Sequence, residues 1–428
     1  MSQPPFPIEA IRAHFPALSL KDQGRPRVYF DNPAGTQVPR AVLQRTEECL
    51  IRANANLGGY FASTIAAGGI VDAAHQAVAD FYNAASPEEI IFGQNMTSLT
   101  FQFTRALSSR FQPGDEIVVS RMDHDANISP WLILAEERGL KVRFMEWDVE
   151  TYEFPADALS KVLSEKTKLV AMGWASNCTG SIHDVAHFVA QAKAAGALTY
   201  IDAVQFAPHM PVDVQALGAD FVVSSAYKWF GPHQGLLWGR RDLLEELKAY
   251  KVRPADPALP GKFETGTMSH EGMAGTLGAI EYFLEIAPQV AQERHLQAHA
   301  GKREMVQKIH AAMEGLNEYE QGLTKQLIAG LQQVKGLKVR GITSENALHR
   351  RVPTVSFTLE GHHPQGLALA FAMKNFFVWS GHNYAIEPIG HMGLMDKGGV
   401  LRVGLAHYNT AEEVEGFLQL LQRDIVAA

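Results

Sequence analysis

TKLVAMGWASNCTGSIHDVAHFVAQAKAAGALTYIDAV, residues 167–204, alternates two kinds of segment. TKLVAMGWA and ALTYIDAV are short and almost wholly apolar, whereas VAHFVAQAKAAG between them repeats its apolar residues at helical spacing and stops at glycine. A short continuous apolar run suits a strand buried on both faces, and glycine after a periodic segment suits a helix end. Strand, helix and strand in that order describe a parallel crossover. The alternation continues in both directions. EEIIFG, DEIVVS and KVRFMEW lie upstream, ADFVVSS and GLLWG downstream, and DANISPWLILAEERG reads as a further helix closed by glycine. The expected fold class is therefore α/β, with a mostly parallel seven-stranded sheet between about residues 85 and 245 and helices on both its faces. Sites on such sheets lie beyond the carboxyl ends of the strands.

A chain of 428 residues is too long for one hydrophobic core, and its 46% apolar content supplies material for more than one. From about residue 290 to 335 the pattern becomes a long charged helical region. LKVRG, RVPTVSFTLEG, FFVWSG and VLRVGLAHY follow as strand-like runs with helices between them, an α+β arrangement suited to a smaller second domain. The expected organisation is an N-terminal segment over 1–30, packing in part on the small domain, a large domain over 31–290 and a small C-terminal domain over 291–428.

The 38 basic and 46 acidic residues give a net charge of −8 without a basic run, which argues against nucleic acid and anionic membrane as partners and favours small-molecule chemistry. The opening MSQPPFPIEAIRAHFPALSL lacks a basic region followed by an apolar core, and no stretch reaches the roughly 18 apolar residues needed to span a bilayer. A cytoplasmic location is expected. Cys49 and Cys178 have no metal-ligand spacing, and the 17 histidines form no HExxH pattern, so no metal site is expected.

Polar residues that core packing does not require gather after several strands. SSAYKWFGPHQG, residues 224–235, holds Lys228 between Tyr227 and Trp229. The aromatic neighbours could merely shelter its aliphatic stem, but an amine drawn into an apolar setting also loses basicity and becomes an imine-forming nucleophile. YIDAVQF ends a strand with Asp202 and places Gln205 three residues on; NCTG sets Asn177, and MDHD sets His124, after two more. FGQNMTSLTFQF puts Asn95, Thr97 and Ser98 at the start of a helix, where hydroxyls and unpaired N–H groups can seat a phosphate. Pyridoxal 5'-phosphate needs an imine-forming lysine, an anion against its ring nitrogen and a seat for its phosphate, and this set supplies all three.

In this order the motifs resemble the class V aminotransferase family of fold-type I pyridoxal-phosphate enzymes, and within it the cysteine desulfurase-like branch. The resemblance runs from VYFDNPAGTQVP to LRVGLAHYNTAEEVEGF, nearly the full chain. It implies that Lys228 bonds the cofactor, Asp202 pairs with its ring nitrogen, Gln205 touches its ring hydroxyl and His124 stacks on its ring. Thr97, Ser98 and Ser225 would hold the phosphate, and Asn177 would sit near the ring hydroxyl or the substrate. Arg402 would grip the substrate carboxylate, with Asn32, Trp379 and Tyr384 also facing substrate. A homodimer with shared sites is implied as well, with His270 of GTMSHEG reaching the neighbouring subunit's phosphate seat. The implied activity is that of a transferase or lyase acting on a small amino acid through an imine and loss of its α-proton.

Departures from the family pattern bear on the reaction. Where relatives carry RTGHHCA, whose cysteine accepts sulfur, this chain has WSGHNYA, with Tyr384 at the cysteine position and Trp379 at the arginine position. Tyr227 stands where a histidine usually precedes the lysine. A phenol forms no persulfide, so desulfuration by that route is not expected. Transamination, β-elimination, epimerisation, desulfuration onto another acceptor, and a catalytically silent cofactor-binding role remain open.

Overall fold

The computed structural model describes residues 5–425. The seven apolar runs become seven strands of one sheet: β1 (Ile90–Gly93), β2 (Glu116–Ser120), β3 (Lys141–Met145), β4 (Thr167–Gly173), β5 (Leu198–Asp202), β6 (Phe221–Ser225) and β7 (Gly235–Gly239). Their order across the sheet is β1-β7-β6-β5-β4-β2-β3. Four neighbouring pairs are parallel, and β7 runs antiparallel to both β1 and β6. The exception has a covalent cause. Only residues 226–234 separate β6 from β7, which is too little chain for the crossover a parallel pair needs. That tight return carries Lys228.

Burial follows position in the sheet. Every residue of β2 is buried, whereas β3 at the edge alternates exposed with partly buried positions until it reaches buried Met145. Helices cover both faces, and their ends match the sequence signals. Asp184 caps the helix Val185–Ala194 by accepting the His187 N–H, and Gly139 takes a left-handed φ of 66° after Ser129–Arg138.

The long helix Glu304–Gln332 leads to a second, antiparallel sheet built from β8 (Leu337–Val339), β9 (Thr354–Leu359), β10 (Trp379–Gly381) and β11 (Val400–Gly404), in the order β8-β9-β11-β10. Its core includes Leu327, Val355, Leu401 and Phe417. FFVWSG, read as one strand, is in fact divided. Phe376–Phe377 pairs in parallel with Val28–Tyr29, and Trp379–Gly381 pairs with β11. The N-terminal stretch supplies the second partner, a long-range pairing that no local pattern encodes. The same stretch is tied to the C-terminal part by Arg12, which reaches Glu413 at 3.0 Å and the Tyr408 carbonyl at 2.6 Å.

Candidate active site

The carboxyl ends of β2, β4, β5 and β6 open onto one cavity of about 1050 Å³, closed on its far side by β10, β11 and the loop between β10 and residue 385. Lys228, Asp202, His124, Asn177, Gln205 and Ser225 all line it, together with Thr97, Ser98, Arg402, Trp379 and Tyr384. Residues spread over more than three hundred positions of sequence thus meet where an α/β sheet is expected to hold its ligand.

Lys228 Nζ donates to the Pro33 carbonyl at 2.6 Å and lies 4.7 Å from the centre of the Tyr227 ring. Burial, reinforced by the Arg402 charge, lowers its pKa to about 7. The Asp202 carboxyl is raised to about 6 by burial, against the pull of the Val204 N–H, which donates to Oδ1 at 2.8 Å. Burial, with the nearby Lys228 and Arg402 charges, drops His124 to about 3, so its ring is neutral at physiological pH. Arg402 is buried, falls to about 10 chiefly by desolvation, and donates from Nη1 to the Asn177 carbonyl at 3.0 Å. At the start of the helix Met96–Leu107, Asn95 accepts the Ser98 N–H at 2.9 Å and Ser225 Oγ accepts the Met96 N–H at 3.0 Å.

Two of the residues implied by the resemblance lie outside this cavity. Asn32 does not line the cavity: its Nδ2 donates to the carbonyls of Tyr29 and Gly404 and to Asn409, and its Oδ1 accepts the Tyr408 hydroxyl. With donors and acceptor spent, its amide stitches β11 to the N-terminal stretch and has nothing left for substrate. His270 begins the helix His270–Val290 and lies in a separate recess with Cys49, Asn54 and Thr267, outside the cavity of its own chain. Ser98 stands at the exposed rim.

The unspent polar atoms fit pyridoxal phosphate. Asn177 Oδ1 is buried without a partner, one Asp202 oxygen is free of the Val204 bond, and Thr97 Oγ1 has only the Met96 sulfur nearby at 3.6 Å. A donor beside a helix N-terminus suits a phosphate, and a buried carboxylate suits a protonated ring nitrogen.

Two acids in or beside the site went unread in the sequence. Asp123 is fully buried and raised to about 7 by desolvation; it accepts from Ser120, from the Gly173 N–H at 2.8 Å and from Asn127 at 2.7 Å, which holds the turn that presents His124. Asp31 is raised to about 6, again by burial, and its Oδ1 is buried without a partner near Arg402 and Lys228. Each follows a strand-like run, as Asp202 does, and that placement was the available signal.

Comparison with known proteins gives a consistent picture. The sequence profile described as aminotransferase class-V matches residues 28–311 and 303–417. A cysteine desulfurase from Yersinia pestis (strain Pestoides F) is 32% identical over 434 residues, covering 98% of each chain. Among solved structures, the apo cysteine desulfurase from Thermococcus onnurineus NA1 superposes with a TM-score of 0.86 at 27% identity over 100% of both chains. A cysteine desulfurase from Escherichia coli gives 0.81 at 25% identity over 98% of both. This chain belongs to the aminotransferase class-V family and is a pyridoxal-phosphate-dependent enzyme of the cysteine desulfurase-like branch.

Proposed function

We propose that this enzyme acts on an amino acid by removing its α-proton, with Lys228 as the base, and that it forms no persulfide on a cysteine of its own. The observation that carries the reading is one cavity holding an amine of pKa about 7, a buried carboxyl and a buried guanidinium, with no thiol among its described lining residues. When bound, pyridoxal phosphate supplies a carbonyl for the substrate amine and a ring that draws electrons from the α-carbon. Arg402 takes the substrate carboxylate in a charge-assisted pair. Asp202 keeps the proton on the ring nitrogen, and the neutral face of His124 covers the ring and excludes water. Thr97, Ser225 and the adjoining helix N-terminus hold the phosphate. Lys228 Nζ, largely unprotonated just above neutral pH, takes the α-proton.

The cysteines support the second half of the proposal. Cys178 is fully buried and its thiol is pushed up to about 12 by desolvation, while Cys49 lies in the recess with His270. A thiol so rarely ionised is a poor sulfur acceptor. Intact mass after incubation with cysteine should therefore show no reductant-sensitive gain of a sulfur atom. A persulfide on either cysteine, formed at the rate of turnover, would restore desulfuration. Keto acid, ammonia and sulfide measured in the same incubations distinguish transamination from elimination.

A homodimer is part of the same reading. Ile51, Tyr60, Phe61 and Ile65 are exposed on the helix Arg40–Arg52, the loop after it and the start of the helix Ala62–Phe81, beside the recess that holds His270. Exposed apolar side chains of this kind are removed from water by a second copy. Sedimentation should give a dimer, and Ile51→Asp combined with Ile65→Asp should give monomers with weakened cofactor affinity. A wild-type monomer that retains cofactor at working concentration would refute the shared site.

A further inference from the structure

Resting on that function, we infer that the substrate is an amino acid with a bulky, uncharged side chain, aromatic or large aliphatic, held between Trp379 and Tyr384. The cavity of about 1050 Å³ stands at the upper end of the range for small-molecule sites. It leaves room beyond the cofactor and a side chain the size of cysteine.

The charges of the cavity are already committed. Its described cations besides histidine are Lys228 and Arg402, one for the cofactor and one for the α-carboxylate, so no third remains for an acidic side chain. His124 is neutral, His233 stacks on Tyr227 with ring centres 4.9 Å apart, and His382 accepts the Tyr384 N–H at Nδ1 (3.0 Å). Asp202 faces the cofactor position, Asp31 lies outside the cavity lining against the Arg402 and Lys228 charges, Asp123 is spent on Ser120, Gly173 and Asn127, and Asp125 accepts the Ser129 hydroxyl at 2.7 Å, leaving little for a basic side chain. A charged substrate side chain would be desolvated there without a partner.

The aromatic walls stand where a side chain would lie. Trp379 on β10 is directly opposite Arg402 on β11 in the register, so the two side chains emerge on the same face of the sheet. Tyr384 lies parallel to His124, with ring centres 5.5 Å apart and planes 15° from parallel. Both aromatics are open to the cavity mouth, 52% exposed for Trp379 and 66% for Tyr384, so each has apolar surface that a ligand would remove from water.

The loop that carries Tyr384 is pinned. Asn177 Nδ2 donates to the Asn383 carbonyl and the Asp125 N–H to the Tyr384 carbonyl, both at 2.8 Å. Asn383 and Tyr384 take left-handed φ values of 51° and 57°. A bulky residue is kept in that conformation only where its surroundings impose it, and such positions cluster at ligand clamps. The loop is a fixed aromatic wall and not a carrier that must travel to deliver sulfur.

The test is a spectral titration of the cofactor-loaded protein with glycine, alanine, cysteine, glutamate, lysine, leucine, phenylalanine and tryptophan, reading the dissociation constant from the shift of the visible band. Leucine and the aromatic amino acids should bind at least about tenfold tighter than alanine or glutamate. Trp379→Ala and Tyr384→Ala should each reduce that ratio by about tenfold while retaining the borohydride-reducible band of the Lys228-bound cofactor, which shows the variants are folded. Tighter binding of alanine, cysteine, glutamate or lysine overturns the inference while leaving the proposed function standing, as does an unchanged ratio in both variants. A visible band that responds to no amino acid overturns both.

Discussion

Lys228→Ala abolishes covalent attachment of the cofactor. The purified variant shows no visible band that borohydride removes, and its mass after reduction carries no added cofactor. Turnover falls by at least about 10³-fold, because nucleophile and base are lost together. The physical cause is local: Lys228 is the amine held at a pKa of about 7 by burial and the Arg402 charge, where it also donates to the Pro33 carbonyl. A reducible chromophore surviving in the variant would place the chemistry on another lysine. The buried amine also has a pH signature in the apoprotein. Its folded pKa of about 7 lies below the ordinary 10.5, so the unfolded chain binds the extra proton between those values. The cost of burial is full below pH 7, shrinks as pH rises and is gone above about 10.5. Lys228→Met, which keeps the stem, should raise apoprotein stability by about 2–4 kcal/mol at pH 6.5, after allowance for screening by cavity water, and by progressively less toward pH 10. A gain that grows with pH would contradict the assignment.

Asp202→Asn retains bound cofactor but slows α-proton exchange, measured in deuterated water, by about 10²–10³-fold. The carboxylate is buried at the end of β5, and its one bond to the Val204 N–H leaves an oxygen facing the cavity. An amide of the same shape preserves packing and the backbone contact but carries no charge to hold a proton on the ring nitrogen, so electron withdrawal from the α-carbon weakens. Asparagine at this position should leave unfolding temperature nearly unchanged or raised, since a desolvated acid is removed. Unchanged exchange would mean that Asp202 serves only to cap its turn.

The elements legible in the sequence were those whose signal is local. Seven β-rich runs predicted seven strands, most of them apolar throughout because a strand buried on both faces must be, and VAHFVAQAKAAG predicted a helix because its period and its glycine stop need no distant partner. Lys228, Asp202 and His124 were legible for a related reason: a polar residue directly after a buried strand departs from what packing asks. Where the signal is not local, the reading failed or stayed silent. Asn32 sits in a motif that carries the family resemblance, yet Tyr29, Gly404, Tyr408 and Asn409 consume its amide, and that could be seen only once the two ends of the chain were brought together. FFVWSG reads as a single strand until Val28–Tyr29 claims its first half. Asp123 and Asp31 were ordinary acids until the fold buried them and raised their pKa values.

Sequence alone therefore settled the α/β class, the parallel core of the sheet and the cofactor, and it singled out Lys228, which the structure places in the cavity, because periodicity, burial pattern and residue chemistry act within a few positions of each other. The opposition of Trp379 to Arg402, the pinned loop under Tyr384 and the low basicity of Lys228 were decided by tertiary structure. Each of these depends on what a residue faces across space, and desolvation and register exist only after distant segments have packed.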